Sequence, residues 1–184
     1  MILVVLGLGL WSAAHLMPQL VPELHAQLGR RARPVVAVTV LLGLLLMILG
    51  YIGWDSAYHR IPAAWTRHLN NLMMLVAVYL FAASGAKTRI AVALRHPQLL
   101  AVSLWSGAHL LANGTWSALV LFGGLGLWAV SEMALLDARV PVTTRPAPVT
   151  MARELRTVII AVVVFILIGL VHGWVGPNPF GAIS

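Results

Sequence analysis

Two histidines are the side chains most able to do chemistry in this very hydrophobic sequence. One ends the run Trp11-Ser12-Ala13-Ala14-His15, and the other ends Trp105-Ser106-Gly107-Ala108-His109. An ionisable group inside an apolar segment is costly, and imidazole is the least costly because it can be neutral near physiological pH. Each histidine could therefore be a hydrogen-bonded packing residue or a metal ligand.

The small residues beside both histidines favour one kind of ligand. Ala13 and Ala14 precede His15, and a glycine and an alanine precede His109, so a flat ring could approach either imidazole closely. Histidines from two helices could supply the axial nitrogens of a b-type haem, which needs only one or two protein ligands. The spacing alone leaves haem binding and packing both open.

Two polar residues near His109 are further candidates for binding. Trp105, His109 and Asn113 recur at four-residue steps, so they would share one helix face. Asn113 could then hold a ligand or form an interhelical hydrogen bond. Arg95 lies at the expected start of the same helix, where its guanidinium could bind a carboxylate or phosphate or could only set the topology.

The other histidines and the absence of cysteine narrow the possible metal chemistry. His68 and His172 lie at the ends of apolar segments and are reserve ligands for the haem that His15 and His109 would bind. No two histidines are spaced as i and i+4, so a zinc-protease motif is absent. The chain has no cysteine, which excludes disulfides and thiolate ligands.

The composition indicates an integral membrane protein. Hydrophobic residues make up 60% of the 184 residues and charged residues only 9%, against about 25% charged in a typical soluble domain. This excludes a soluble enzyme, a disordered chain and a DNA-binding domain. The net charge of +7 is typical of cytoplasmic loops of a membrane protein and does not imply nucleic-acid binding.

Hydropathy predicts an all-α fold, a bundle of six transmembrane helices in a single domain spanning residues 1–184 with no internal repeat. The six apolar stretches are Met1–Met17, Val35–Gly53, Leu69–Ser84, Gln98–Ala112, Trp116–Leu135 and Thr157–Val175. The third and fourth are short for a span, so flanking residues are expected to lengthen both helices. The first stretch has no basic start and is expected to be a retained helix.

The distribution of basic residues predicts the topology. All Lys and Arg residues except Arg60 and Arg67 fall in the loops 18–34, 85–97 and 136–156. The positive-inside rule places these loops in the cytoplasm and both termini on the outer side of a bacterial inner membrane. The segment Arg139–Thr150 contains three prolines and is expected to be a flexible loop.

The sequence resembles the NnrU family of bacterial membrane proteins over essentially its whole length. The specific part is Arg95-His96-Pro97-Gln98-Leu99-Leu100, followed by Leu104-Trp105-Ser106-Gly107-Ala108-His109-Leu110-Leu111-Ala112-Asn113-Gly114 and Leu121-Phe122-Gly123. His15 in the first helix and Gly50-Tyr51 at the end of the second fit the same pattern.

The resemblance implies a function and a cofactor. The family name marks an association with denitrification and nitric oxide metabolism, and a plant and cyanobacterial relative is 15-cis-zeta-carotene isomerase, a membrane enzyme containing haem b. His15 and His109 match the axial histidines of that relative, whereas Ser106 stands where the isomerase has a cysteine. The resemblance therefore implies haem b, with a redox-linked role around nitric oxide or in isomerising a lipophilic polyene.

Two other functions fit the sequence. Arg95 and His96 at a helix start also resemble the S-adenosylmethionine motif of isoprenylcysteine and methanethiol methyltransferases, with Glu132 and Asp137 as candidate acidic partners, although the later Arg-x-x-x-Glu-Glu pattern is not apparent. A non-enzymatic accessory subunit is the other alternative. The lipid bilayer is the partner common to all three, and the oligomeric state is left open.

Overall fold

The computed structural model describes residues 1–139, 147 and 149–181 of the chain, and these residues are almost entirely helical. Apart from an isolated bridge between Tyr58 and Thr115, they contain no β-strand. The α-helices within these described ranges are α1 (Ile2–Leu20), α2 (Pro22–Leu28), α3 (Ala32–Ile52), α4 (Thr66–Ala86), α5 (Arg89–Ala93), α6 (Pro97–Ala112), α7 (Trp116–Arg139) and α8 (Met151–Val175). The all-α prediction is confirmed.

Among the residues that the structure describes, five helical segments are long and apolar enough to cross a membrane. They are α1, the segment Pro22–Ile52 that contains α2 and α3, α4, α7 and α8. The predicted lengthening is correct for the third stretch, because α4 has 21 residues. It is wrong for the fourth, because α6 begins at Pro97, ends at Ala112 and has only 16 residues, or about 24 Å against a hydrocarbon core of about 30 Å.

The helices form two compact units. The first contains Met1–Ile61 together with α7, and the second contains Pro62–Ala112 together with α8. His15 belongs to the first unit and His109 to the second. Each unit therefore carries one of the two histidine motifs.

In the first unit, glycines bring α1 and α3 into backbone contact. A Cβ on Gly7 would lie 2.6 Å from the Gly43 carbonyl oxygen, and one on Gly50 would lie 2.7 Å from the Val4 nitrogen. Because early residues of α1 meet late residues of α3, the two helices are antiparallel. Small residues at the crossing of membrane helices permit this close approach.

Alanine at Gly7 is expected to destabilise the protein by about 1–3 kcal/mol, because its Cβ would press on the α3 backbone and force the two helices apart. Gly9→Ala is the matched control on the same helix, since a Cβ there meets nothing within 4 Å. Unfolding of both variants in mixed detergent measures the difference. Equal stability of the two variants would show that the α1–α3 contact is looser than described.

The third long helix of the first unit, α7, runs parallel to α1. Leu8 packs where a Cβ of Gly124 would lie, His15 contacts Trp128, and the Arg139 guanidinium donates a hydrogen bond to the Gln19 carbonyl. Residue numbers thus increase together along both helices. This direction brings the C-terminal ends of α1 and α7 to the same end of the unit.

In the second unit, α4 packs against both α6 and α8. Lys87 ends α4 in the left-handed conformation, and the Thr88 hydroxyl then accepts a hydrogen bond from the Ala91 amide to cap α5. At one end of the unit the Arg89 amide donates to the Glu154 carboxylate over 2.6 Å. At the other end the Asn71 side chain donates to the Pro179 carbonyl over 2.9 Å, which ties the C-terminal segment to the start of α4.

Each unit has one strongly basic end. In the first unit this end carries Arg30, Arg31, Arg33 and Arg139, and the opposite end carries Arg60. In the second unit it carries Lys87, Arg89, Arg95, Arg153 and Arg156, and the opposite end carries Arg67. Arg145 and the predicted loop prolines Pro141, Pro146 and Pro148 lie outside the described residues.

Candidate functional site

The carbonyl and the ring of Trp11, one helical turn earlier, both contact the His15 side chain. Its Nδ1 lies 2.9 Å from the Trp11 carbonyl oxygen. A carbonyl can only accept, so Nδ1 carries a proton, and in the neutral ring Nε2 then keeps its lone pair. The Trp11 ring also packs on the imidazole, with 4.5 Å between ring centroids. The imidazole therefore presents Nε2 from a ring whose orientation is fixed.

His109 is held in the same way in the second unit. Its Nδ1 donates to the Trp105 carbonyl oxygen over 2.9 Å, and the centroids of the Trp105 and His109 rings are 4.8 Å apart. The same tautomer follows, with the lone pair on Nε2. A hydrogen bond from the other ring nitrogen to a backbone carbonyl is the usual arrangement of a metal-ligating histidine.

The two arrangements come from one short repeated sequence that the prediction of no internal repeat missed. Trp-Ser-Ala-Ala-His-Leu occupies residues 11–16, and Trp-Ser-Gly-Ala-His-Leu occupies residues 105–110. The two copies differ only at Ala13 and Gly107. Because the spacing of four residues aligns a side chain with the preceding turn of a helix, the same sequence gives the same Trp–His geometry twice.

The small residue directly before each histidine is buried, as is Ser106, whereas Ala13 is exposed. Ala14 is 1% exposed in α1, while Ser106 is 1% and Ala108 0% exposed in α6. A Cβ on Gly107 would meet only the Met73 side-chain terminus at 3.5 Å, an ordinary contact. Because the side chains of these residues are small, other helices can pack closely against the backbone of each helix that carries a histidine.

Trp128 of α7 completes the surroundings of His15, and the sequence analysis did not identify it. Its ring centroid lies 4.8 Å from that of His15 and 5.3 Å from that of Trp11, nearly perpendicular to the latter at 87°. Trp128 is only 6% exposed. No local pattern could have identified it, since the contact depends on α7 packing against α1.

Asn113 does not lie on the helix face predicted for it. The helix α6 ends at Ala112, and the Asn113 carbonyl accepts a hydrogen bond from the Arg60 guanidinium over 3.1 Å. Its backbone thus helps to hold a loop of the first unit. A role for its side chain in binding a cofactor stays a prediction.

Arg95 is half-buried immediately before α6, and Pro97 is the first residue of that helix, as proline at a helix start predicts. Half-buried His96 lies between them. The binding role predicted for Arg95 stays a prediction.

The remaining candidates lie apart from the Trp–His motifs or at helix ends. His68 is exposed in the first turn of α4. His172, in the last turn of α8, donates through Nδ1 to the Pro177 carbonyl over 3.0 Å. Glu132 is one turn beyond Trp128 on α7, and Asp137 is exposed near the end of the same helix.

The long apolar helices are those of a helical membrane protein. Its candidate metal ligands are the imidazoles of His15 and His109, each oriented by its Trp–His motif. The model of the family described as NnrU protein matches residues 3–179, and the chain belongs to the NnrU family. The resemblance seen in the sequence is therefore confirmed. No curated protein and no solved structure matches the chain.

Proposed function

We propose that this NnrU-family protein binds haem b in a bacterial inner membrane, with His15 and His109 as the axial ligands. The observation that carries the proposal is the matching pair of Nδ1 hydrogen bonds, each 2.9 Å long and each to the carbonyl of a tryptophan four residues earlier. Both bonds fix the tautomer that leaves Nε2 able to coordinate iron.

The available side chains suit haem better than a bare metal ion. Among the described residues, no group of three or more His, Asp or Glu side chains could hold a metal by itself. A porphyrin supplies four of the iron's ligands, so one histidine from each motif completes the set. Arg95, or an arginine of the loop 18–34, stays the proposed partner of a haem carboxylate, because guanidinium binds carboxylates in a bidentate way.

Haem b would supply one-electron redox chemistry. The chain's own contribution is to hold two neutral imidazoles and to exclude water with apolar helices. Ser106, which is buried on α6, stands where the related isomerase has a cysteine. A hydroxyl does not replace a thiolate as an iron ligand, so we expect no thiolate exchange in this protein. The role we propose is redox-linked, around nitric oxide or in isomerising a lipophilic polyene.

The proposal includes six membrane-crossing helices with both termini outside. Its support is that each unit has one basic end, and cytoplasmic ends of membrane helices are enriched in Lys and Arg. The short helix α6 starts from the basic end of its unit. A span of about 24 Å is accommodated when the bilayer thins locally or when neighbouring helices shield the ends of the short helix.

Oxidised and reduced absorption spectra of the purified protein test the proposal. After expression with sufficient haem, we expect a Soret band and sharp bands on reduction, at about one haem per chain. A colourless, folded protein would contradict it. If such a preparation bound S-adenosylmethionine in calorimetry, the methyltransferase assignment through Arg95 and His96 would replace haem, and binding of neither molecule would favour the accessory subunit.

A further inference from the structure

The contact between α1 and α7 contains two buried hydrogen-bond donors that have no partner. They are the indole nitrogens Nε1 of Trp11 and Trp128, neither of which forms a hydrogen bond with any described residue. Two buried acceptor atoms, Gln19 Oε1 and Glu132 Oε2, lie further along the same two helices. Trp128 is 94% buried, so lipid or bulk water does not reach its ring freely. Leaving a buried donor unpaired is energetically costly, so two of them in one contact indicate a missing partner.

The chemistry of indole defines that partner. An indole N–H is a donor only, so the missing group must be an acceptor. Both rings lie against His15, with centroids 4.5 Å and 4.8 Å from that of the imidazole, and they lie 5.3 Å from each other. One acceptor group beside His15 could therefore serve both donors.

The position along the helix favours an anionic acceptor. His15 lies five residues before Leu20, so it is about 7 Å from the end of α1 at the basic end of the first unit. Arg139 reaches the Gln19 carbonyl at that end. A negative charge held here is close to guanidinium groups and to the membrane surface, where burying it costs less than at the bilayer centre. Hydrogen bonds to an ionised acceptor are also about twice as strong as neutral ones.

We propose that the indole N–H groups of Trp11 and Trp128 bind a propionate carboxylate of the haem ligated by His15. This assignment rests on the proposed function. It gives the first unit a two-part hold on the cofactor: the imidazole binds the iron, and the indole pair binds an acid group at the edge of the ring. Trp11 then acts twice, since its carbonyl orients His15 and its side chain donates to the carboxylate.

Phenylalanine at each position tests the assignment, because it keeps an aromatic ring and removes the donor. The apoprotein in detergent is titrated with hemin and with hemin dimethyl ester, whose propionates carry no charge, and the Soret change gives both dissociation constants. We expect Trp11→Phe and Trp128→Phe each to weaken hemin binding roughly tenfold, and to change ester binding less than about threefold. The wild type should bind hemin more tightly than the ester.

Trp116→Phe is the matched control, since Trp116 lies at the other end of α7 and is 50% exposed. We expect its hemin and ester affinities to equal those of the wild type. Thermal unfolding followed by circular dichroism establishes that each variant is folded. For a variant that fails to fold, the substitution of the other tryptophan carries the test.

Two outcomes would overturn the assignment. Equal losses for hemin and its ester would show that the rings only pack, and no loss for either would show that the indoles are satisfied by water. A wild type that binds neither compound would instead overturn the proposed function itself. The two failures are thus distinguished within one set of titrations.

Discussion

Alanine at His15 or at His109 is expected to lower haem affinity by at least about a hundredfold. Loss of a group that only orients a ligand already costs about 10–100-fold, and here the ligand itself is removed. Each variant would leave one imidazole, so we expect residual, weakly bound haem with a changed spectrum rather than the wild-type spectrum at lower intensity. Haem content per chain and the reduced absorption spectrum measure both effects.

Two other histidines provide the controls for this result. His68→Ala and His172→Ala alter side chains at helix ends, the first exposed and the second bonded to the Pro177 carbonyl. We expect both variants to keep the wild-type haem content and spectrum. Loss of haem in either of them, with retention in the His109 variant, would move the second ligand to the end of α8 or of α4.

Alanine at Gly114 is expected to destabilise the protein by about 3 kcal/mol or more. A Cβ there would overlap the Arg60 carbonyl, so the clash is between two backbones and no side-chain rotation relieves it. The same segment accepts a hydrogen bond from the His59 amide at 2.8 Å, and its neighbour Trp116 donates to the Ala57 carbonyl at 3.2 Å. Forcing the two chains apart would lose these bonds together.

Gly123→Ala on α7 is the matched control, because a Cβ at that position meets nothing within 4 Å. We expect its stability to equal or slightly exceed that of the wild type, as alanine favours a helix over glycine by up to about 1 kcal/mol. Unfolding midpoints in mixed detergent give the comparison. If Gly114→Ala proved as stable as this control, the close approach of Gly114 to Arg60 would be wrong.

Hydropathy alone predicted the helices because a chain in lipid must satisfy its backbone hydrogen bonds within each segment. All six apolar stretches lie in helices, and the residues that begin α6 and α7 agree with the sequence signals of Pro97 and Trp116. The length of α6 was predicted wrongly. The sequence predicts that Asn113 continues the helix. In the structure the carbonyls of Asn113 and Gly114 instead accept hydrogen bonds from the segment around Arg60.

The candidate site could be predicted only as far as local sequence determines it. Each histidine and the small residues before it could be found because they lie within one helical turn of each other along the sequence. Trp128 could not be found, because its contact with His15 joins residues far apart in the sequence and depends on the direction in which α7 packs.

Pulsed electron paramagnetic resonance on the ferric protein, labelled with ¹⁵N-histidine, tests the central claim most directly. We predict hyperfine coupling from two imidazole nitrogens on one iron in the wild type, and from a single imidazole after His15→Ala or His109→Ala. A wild-type iron without histidine coupling, or coupling left unchanged by both substitutions, would contradict ligation by the two Trp–His motifs.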